Sequence, residues 1–145
     1  MKLKVSKNQN QYNYCPQTRE ELDDLLDQLL KERGWEADLN DIDVSNITNM
    51  SGLFFNYAYL NCDLSGWDVS NVTNMWDMFC GCKEFEGKGL ENWNVSNVRN
   101  MSSMFYRCKK FNCNLSNWNV SNVTNYYDIF DKCPIKDEYK PKFKK

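Results

Sequence analysis

The chain of 145 residues has no histidine. It therefore lacks the side chain that most often serves as a general base near neutral pH, and the commonest metal ligand. It has no C-x-x-C pair; Cys80-Gly-Cys82 is a lone C-x-C, so zinc-ligand spacing is missing as well. There is no Gly-rich phosphate loop and no Ser or Cys nucleophile motif. No apolar run approaches the roughly 18–20 residues of a membrane span, and the opening MKLKVSKNQNQ has no apolar core of a signal peptide. These absences point away from an enzyme, a cofactor, a metal centre and membrane insertion. They lead us to expect a cytoplasmic protein, or a cell-surface one if the chain is a piece of something larger.

Net charge is also nearly absent. Eighteen Lys and Arg stand against twenty Asp and Glu, for −2, so no global field draws the chain to nucleic acid. The two halves differ, at −6 over residues 1–68 and +4 over 69–145. The seven cysteines are odd in number, which without a secretory signal argues against a disulfide framework. Cys82, Cys108 and Cys133 instead recur at intervals of 26 and 25 and read as a column of small apolar groups. Cys80 falls outside that rhythm and is the one candidate for an exposed, reactive thiol.

What the chain does contain is repetition. NWNVSNV occurs at 92–98 and 117–123, GWDVSNV at 66–72, and DIDVSNI at 41–47. Val44, Val69, Val95 and Val120 are 25, 26 and 25 residues apart. Ile42, Trp67, Trp93 and Trp118 form a second column. Phe54, Phe79, Phe105 and Phe130 form a third, and Met50, Met75, Met101 and Tyr126 a fourth. A period near 25 indicates stacked units that bury their apolar sides against one another. Trp-x-Val has the alternation of a strand. Met75, Met78, Phe79 and Cys82 lie at i, i+3, i+4 and i+7, one face of a short helix that Asn74 would cap. The expected fold is an α/β repeat solenoid: a leucine-rich-repeat-like stack of about four strand–turn–short-helix units. Trp67, Trp93, Trp118, Val69, Val95, Val120, Phe79, Phe105 and Phe130 form its core, and Ser45/Ser70/Ser96/Ser121 and Asn46/Asn71/Asn97/Asn122 sit at its corners, pairing backbone groups.

The ends read as lids. TREELDDLLDQLLKER at 18–33 opens with a capping box of Thr18 and Glu21, has acidic residues in its first turn, and carries Leu22, Leu25, Leu26, Leu29 and Leu30 on one stripe. A partner-binding amphipathic helix is the rival reading. Tyr139 and Phe143 would anchor the tail over the last unit. The division is an N-terminal arm (1–15), a capping helix (16–37), a four-unit solenoid (38–133) and a basic C-terminal tail (134–145).

The phrase W-[DN]-V-S-N-V-T-N-M-x-x-M-F-x-x-C-x-x-F-N, with small departures, runs through 67–85, 93–112 and 118–133. It resembles the BspA-like, leucine-rich-repeat-type repeats of bacterial proteins carrying the domain of unknown function 285, also met in mycoplasma surface lipoproteins. The resemblance covers about residues 16–133. It implies a leucine-rich-repeat-like solenoid used for binding, often in surface or adhesin proteins, and carries over no catalytic residue.

Binding should sit where the units differ. Asp43, Asp68, Asn94 and Asn119 are nearly uniform and read as another ladder. The variable columns are Ser51/Trp76/Ser102/Tyr127, Phe55/Cys80/Tyr106/Asp131 and Ala58/Lys83/Lys109/Pro134. Pointing outward, Phe55, Trp76, Tyr106 and Tyr127 would form an aromatic patch edged by Arg107, Lys109 and Lys110, residue types suited to interface centres. Pointing inward, they would be packing. The expected function is a non-enzymatic, monomeric protein-binding module, in one form a small intracellular inhibitor or decoy from a phage or other mobile element. The alternatives are a bacterial cell-surface, adhesin-type module and nucleic-acid binding through the basic half.

Overall fold

The computed structural model describes residues 12–144. Most of the expected N-terminal arm, and the last lysine of the tail, lie outside them. One α-helix among the described residues, α1, spans Arg19–Arg33. Thr18 accepts a hydrogen bond from the Glu21 N–H. The Glu21 carboxylate takes the Gln17 N–H at 2.7 Å rather than that of Thr18. Gly34 ends the helix, its N–H closing on the Leu30 carbonyl. All five leucines of the stripe are buried in one core with the first repeat copy. Ahead of the helix, Tyr14 pairs in parallel with Ile42, so residues 13–14 lie along the edge of that copy.

The copies begin at Leu39, Leu64, Leu90 and Leu115, and they are not strand–turn–helix units. The expected α/β repeat solenoid is therefore corrected. Among the described residues there is no β-sheet, only five isolated parallel bridges, and no α-helix other than α1. Each copy is a string of tight turns. In copy 2, N–H groups close back three residues from Trp67 to Leu64, Val72 to Val69, Met78 to Met75, Cys82 to Phe79 and Phe85 to Cys82, at 3.0–3.2 Å. The first and last residues of every one of these turns are buried, and the intervening ones largely face out.

This explains both misreadings. Two abutting four-residue turns place their ends at 0, 3, 4 and 7, the same spacing as a helix face. The junction of two turns at Trp67-x-Val69 imitates strand alternation. What separates the possibilities is the third residue of each of the two abutting turns. Gly52, Asn56, Asp77, Gly81, Ser103, Arg107, Asp128 and Lys132 all have φ between 55° and 79°, as in type II turns, and a helix cannot contain such residues every fourth position.

The turns are held by the neighbouring copy. Met75, Asp77, Phe79 and Gly81 donate to the carbonyls of Asn100, Ser102, Met104 and Tyr106 at 2.8–3.0 Å. The same set runs from copy 1 to copy 2 and from copy 3 to copy 4. Every second N–H thus crosses to the next copy, while the alternate one closes its own turn. Crossings run the other way elsewhere. The Asn71, Asn97 and Asn122 amides donate to the Ser45, Ser70 and Ser96 carbonyls at 2.7–2.8 Å. The buried Trp67, Trp93 and Trp118 indoles donate to Leu39, Leu64 and Leu90 at 2.9 Å.

Inside, like lies over like. Phe54, Phe79, Phe105 and Phe130 stack at 5.5–5.7 Å, and Trp67 lies parallel to Trp93 at 6.5 Å. Eight of the nine expected core residues are buried; Phe130, at the end of the column, is half-buried. Asp43, Asp68, Asn94 and Asn119 are not a free ladder: each Oδ1 closes a turn onto the N–H of the serine two residues on. Asn74 does the same for Trp76 and caps no helix. Phe143 stacks on Tyr126 at 4.3 Å, and Leu115 donates to the Tyr139 carbonyl, so the tail lies against the last copy. Among the described residues, no helix is long and apolar enough to cross a membrane.

Candidate interaction surface

The two consecutive turns in each copy project two columns of tips from one side of the stack. One column carries Ser51, Trp76, Ser102 and Tyr127; the other carries Phe55, Cys80, Tyr106 and Asp131. Large and small residues alternate between them. Copies 1 and 3 put an aromatic ring in the second column, and copies 2 and 4 in the first. The result is a zigzag series Phe55, Trp76, Tyr106, Tyr127. Neighbouring parallel bridges lie about 4.8 Å apart, so three steps spread the series over about 14–15 Å of the stack.

These rings are exposed although their backbone is not free to move. Trp76 is 50% and Tyr127 75% accessible, and Phe55 45%. Trp76 donates its N–H to Asn74 Oδ1 at 2.9 Å and its carbonyl accepts from Gly52 at 2.7 Å. The Tyr127 carbonyl accepts from Ser103 at 2.9 Å. Tyr106 is half-buried, and the Arg107 guanidinium lies 5.2 Å from its ring centre. The intervening small residues Cys80 and Ser102 are each only 8% exposed. They form the floor between the rings. Partial burial raises the Asp77 carboxyl above the usual aspartate range. Burial, with Asp77 nearby, raises the Cys80 thiol. The expectation of an exposed, reactive Cys80 is therefore corrected: a buried thiol whose ionisation is opposed is a poor nucleophile.

The cations of the expected patch do not all sit with the rings. Lys109 and Lys110 occupy the tip of the next turn, closed by Phe111 onto Cys108. Lys110 donates to Glu84 at 2.9 Å. Arg107 stays beside the aromatic series. Two further exposed rings, Trp35 at 43% and Tyr59 at 69%, border this other region. Trp35 lies outside every repeat column, so comparison of the copies gives no signal for it. Its position just after the helix-ending Gly34 was the available clue.

Among the described residues, no group of three or more Cys, Asp or Glu side chains could hold a metal ion. All seven cysteines are unpaired thiols. Burial pushes Cys62 and Cys113 up to about 11.

A family model described as Mycoplasma protein of unknown function, DUF285, matches residues 24–141. No curated protein and no solved structure matches the chain.

Proposed function

We propose, from the premise that the chain belongs to the DUF285 family of Mycoplasma proteins of unknown function, that it is a non-enzymatic module that binds a protein partner through the zigzag aromatic series. The observation that carries this reading is the exposure of Phe55, Trp76 and Tyr127 on a backbone tied to neighbouring copies. Rings exposed in solution gain from desolvation at an interface. Rings held in place beforehand lose little freedom on binding. Arg107 beside Tyr106 adds the residue type that most often accompanies aromatic anchors.

A kinship with BspA-like surface repeats, proposed from the W-[DN]-V-S-N phrase, supports a binding role as well. Nucleic acid is the weaker alternative. Lys110 is engaged by Glu84 and Lys140 by Asp137, and Lys136 lies over the Tyr139 ring. Fewer charges are thus available to phosphate than the composition implies. The intracellular-decoy and surface-module forms of the proposal are separated by fractionating the native host.

The test is capture from native-host extract, with mass-spectrometric identification, using the wild type and Trp76→Ser/Tyr127→Ser. Both side chains are exposed, so folding should change by no more than about 0.5 kcal/mol per site. Loss of a specific captured protein from a variant with wild-type thermal unfolding supports the reading. Equal capture by both proteins refutes it. Substantial unfolding of the variant would assign the rings to packing instead.

A further inference from the structure

We propose that the groove between the end of α1 and the Tyr59 and Lys110 turns is a second binding site, taking a basic peptide segment of a partner. The groove has a volume of about 600 Å³, within the usual range for ligand sites. Trp35 and Tyr59 supply two exposed rings. Arg33 and Lys110 also line it, yet both already hold carboxylates. Arg33 grips Asp41 through two nitrogens at 2.8 and 2.9 Å, and Lys110 meets Glu84 at 2.9 Å. Glu36 and Glu86 line the same space and form no ion pair among the described residues.

Charge decides the class of occupant. The groove and the hollow adjoining it are lined by five carboxylates and three cations. An entering anion would meet that excess. An entering lysine or arginine would find two rings for its charged head, a favoured arrangement, and two carboxylates that form no ion pair among the described residues. The frame is fixed in advance. The Trp35 carbonyl accepts the Asn61 N–H at 2.8 Å and the Cys62 S–H at 3.2 Å. The Glu86 N–H donates to Asn61 Oδ1 at 3.0 Å, and the Glu84 N–H to the Ala58 carbonyl at 3.1 Å. The rings and carboxylates thus stand on backbone cross-tied between copies, which favours a peptide of defined spacing over a diffuse cloud of counter-ions.

The probe is a fluorescein-labelled nonapeptide of alternating glycine with arginine or lysine, read by anisotropy against the full chain. Glu36→Gln/Glu86→Gln should weaken saturable binding at least tenfold, and Trp35→Leu should weaken it severalfold. Glu20→Gln/Asp24→Asn, which removes the same charge from the exposed side of α1, should leave affinity within twofold. Equal weakening by both charge pairs would reduce the attraction to net charge and overturn the site. Unchanged binding in Glu36→Gln/Glu86→Gln would overturn it as well. Displacement of the peptide by an equimolar amount of spermine would overturn the peptide as occupant. If Trp35→Leu fails to fold, the two charge pairs decide.

Discussion

Replacing Gly52 by alanine, and Ser103 by glycine, distinguishes a turn-built copy from a helical one by the sign of the effect. The two residues hold equivalent places in copies 1 and 3, the third position of the turn that follows the Asn49 or Asn100 corner. Their φ values are 63° and 55°. A Cβ on Gly52 would have only the Phe55 Cβ within 4.0 Å, so no clash enters the balance. Holding a non-glycine residue in the left-handed region costs about 1–2 kcal/mol. The alanine also restricts the unfolded chain, which returns about 0.4–1 kcal/mol. The net for Gly52→Ala is a loss of about 0.8 kcal/mol at the middle of both ranges, with bounds of roughly 0 and 1.6 kcal/mol, and Ser103→Gly should gain a similar amount. With a urea m-value of about 1–3 kcal/mol/M, each shift is a few tenths of a molar or more in midpoint, at unchanged m. Inside a helix both signs would invert, because alanine is favoured there over glycine by about 1 kcal/mol. A higher midpoint for Gly52→Ala together with a lower one for Ser103→Gly would refute the turn geometry.

Four further outcomes follow from the interior and its margins. Trp93→Ala removes a 4%-exposed indole stacked on Trp67 and leaves the Leu64 carbonyl with the Trp67 N–H as its one remaining donor. The loss should be about 3–5 kcal/mol, large against the 5–15 kcal/mol typical of a domain, and a urea midpoint within experimental error of wild type would contradict the stacked interior. The hydrogen bonds from Arg33 hold the Asp41 carboxyl below the ordinary aspartate range. The unfolded chain therefore takes up that proton first, so stability supplied above about pH 4 is lost on acidification below it. The stability gap between wild type and Asp41→Asn should close between pH 6 and pH 3, and a constant gap would show that the pair does not act through ionisation. Cys15 and Cys133 are half-buried and the other five thiols are buried. Ellman's reagent at pH 8 should titrate at most two of the seven rapidly in native protein and all seven in urea. Burial raises the Cys62 and Cys113 thiols to about 11, so the stability they supply below about pH 8.5 falls as pH rises toward 11; the same urea midpoints measured from pH 7.5 to 10.5 check this, and no decline would contradict it.

Four copies, their columns and the amphipathic α1 are legible in the order of residues, because each depends on which side chain recurs at which interval. Trp67 and Trp93 are 26 residues apart, and packing like over like needs nothing beyond that register. The conformation of a copy is not legible in this way. Burial at 0, 3, 4 and 7 serves a helix face and two abutting turns equally well. The choice between them depends on the sign of φ at Asp77, Ser103, Arg107 and Asp128, none of which is glycine. Local preference disfavours a positive φ at these residues. They adopt it because their amides reach carbonyls of the adjacent copy, or because their turn matches one that does, and those partners lie about 25 residues away. The same cause governs the surfaces. Which turn residues face outward decides that Trp76 and Tyr127 are exposed while Cys80 and Ser102 form the floor. Only the packed stack sets Lys110 against Glu84 and leaves Glu36 and Glu86 beside Trp35 and Tyr59.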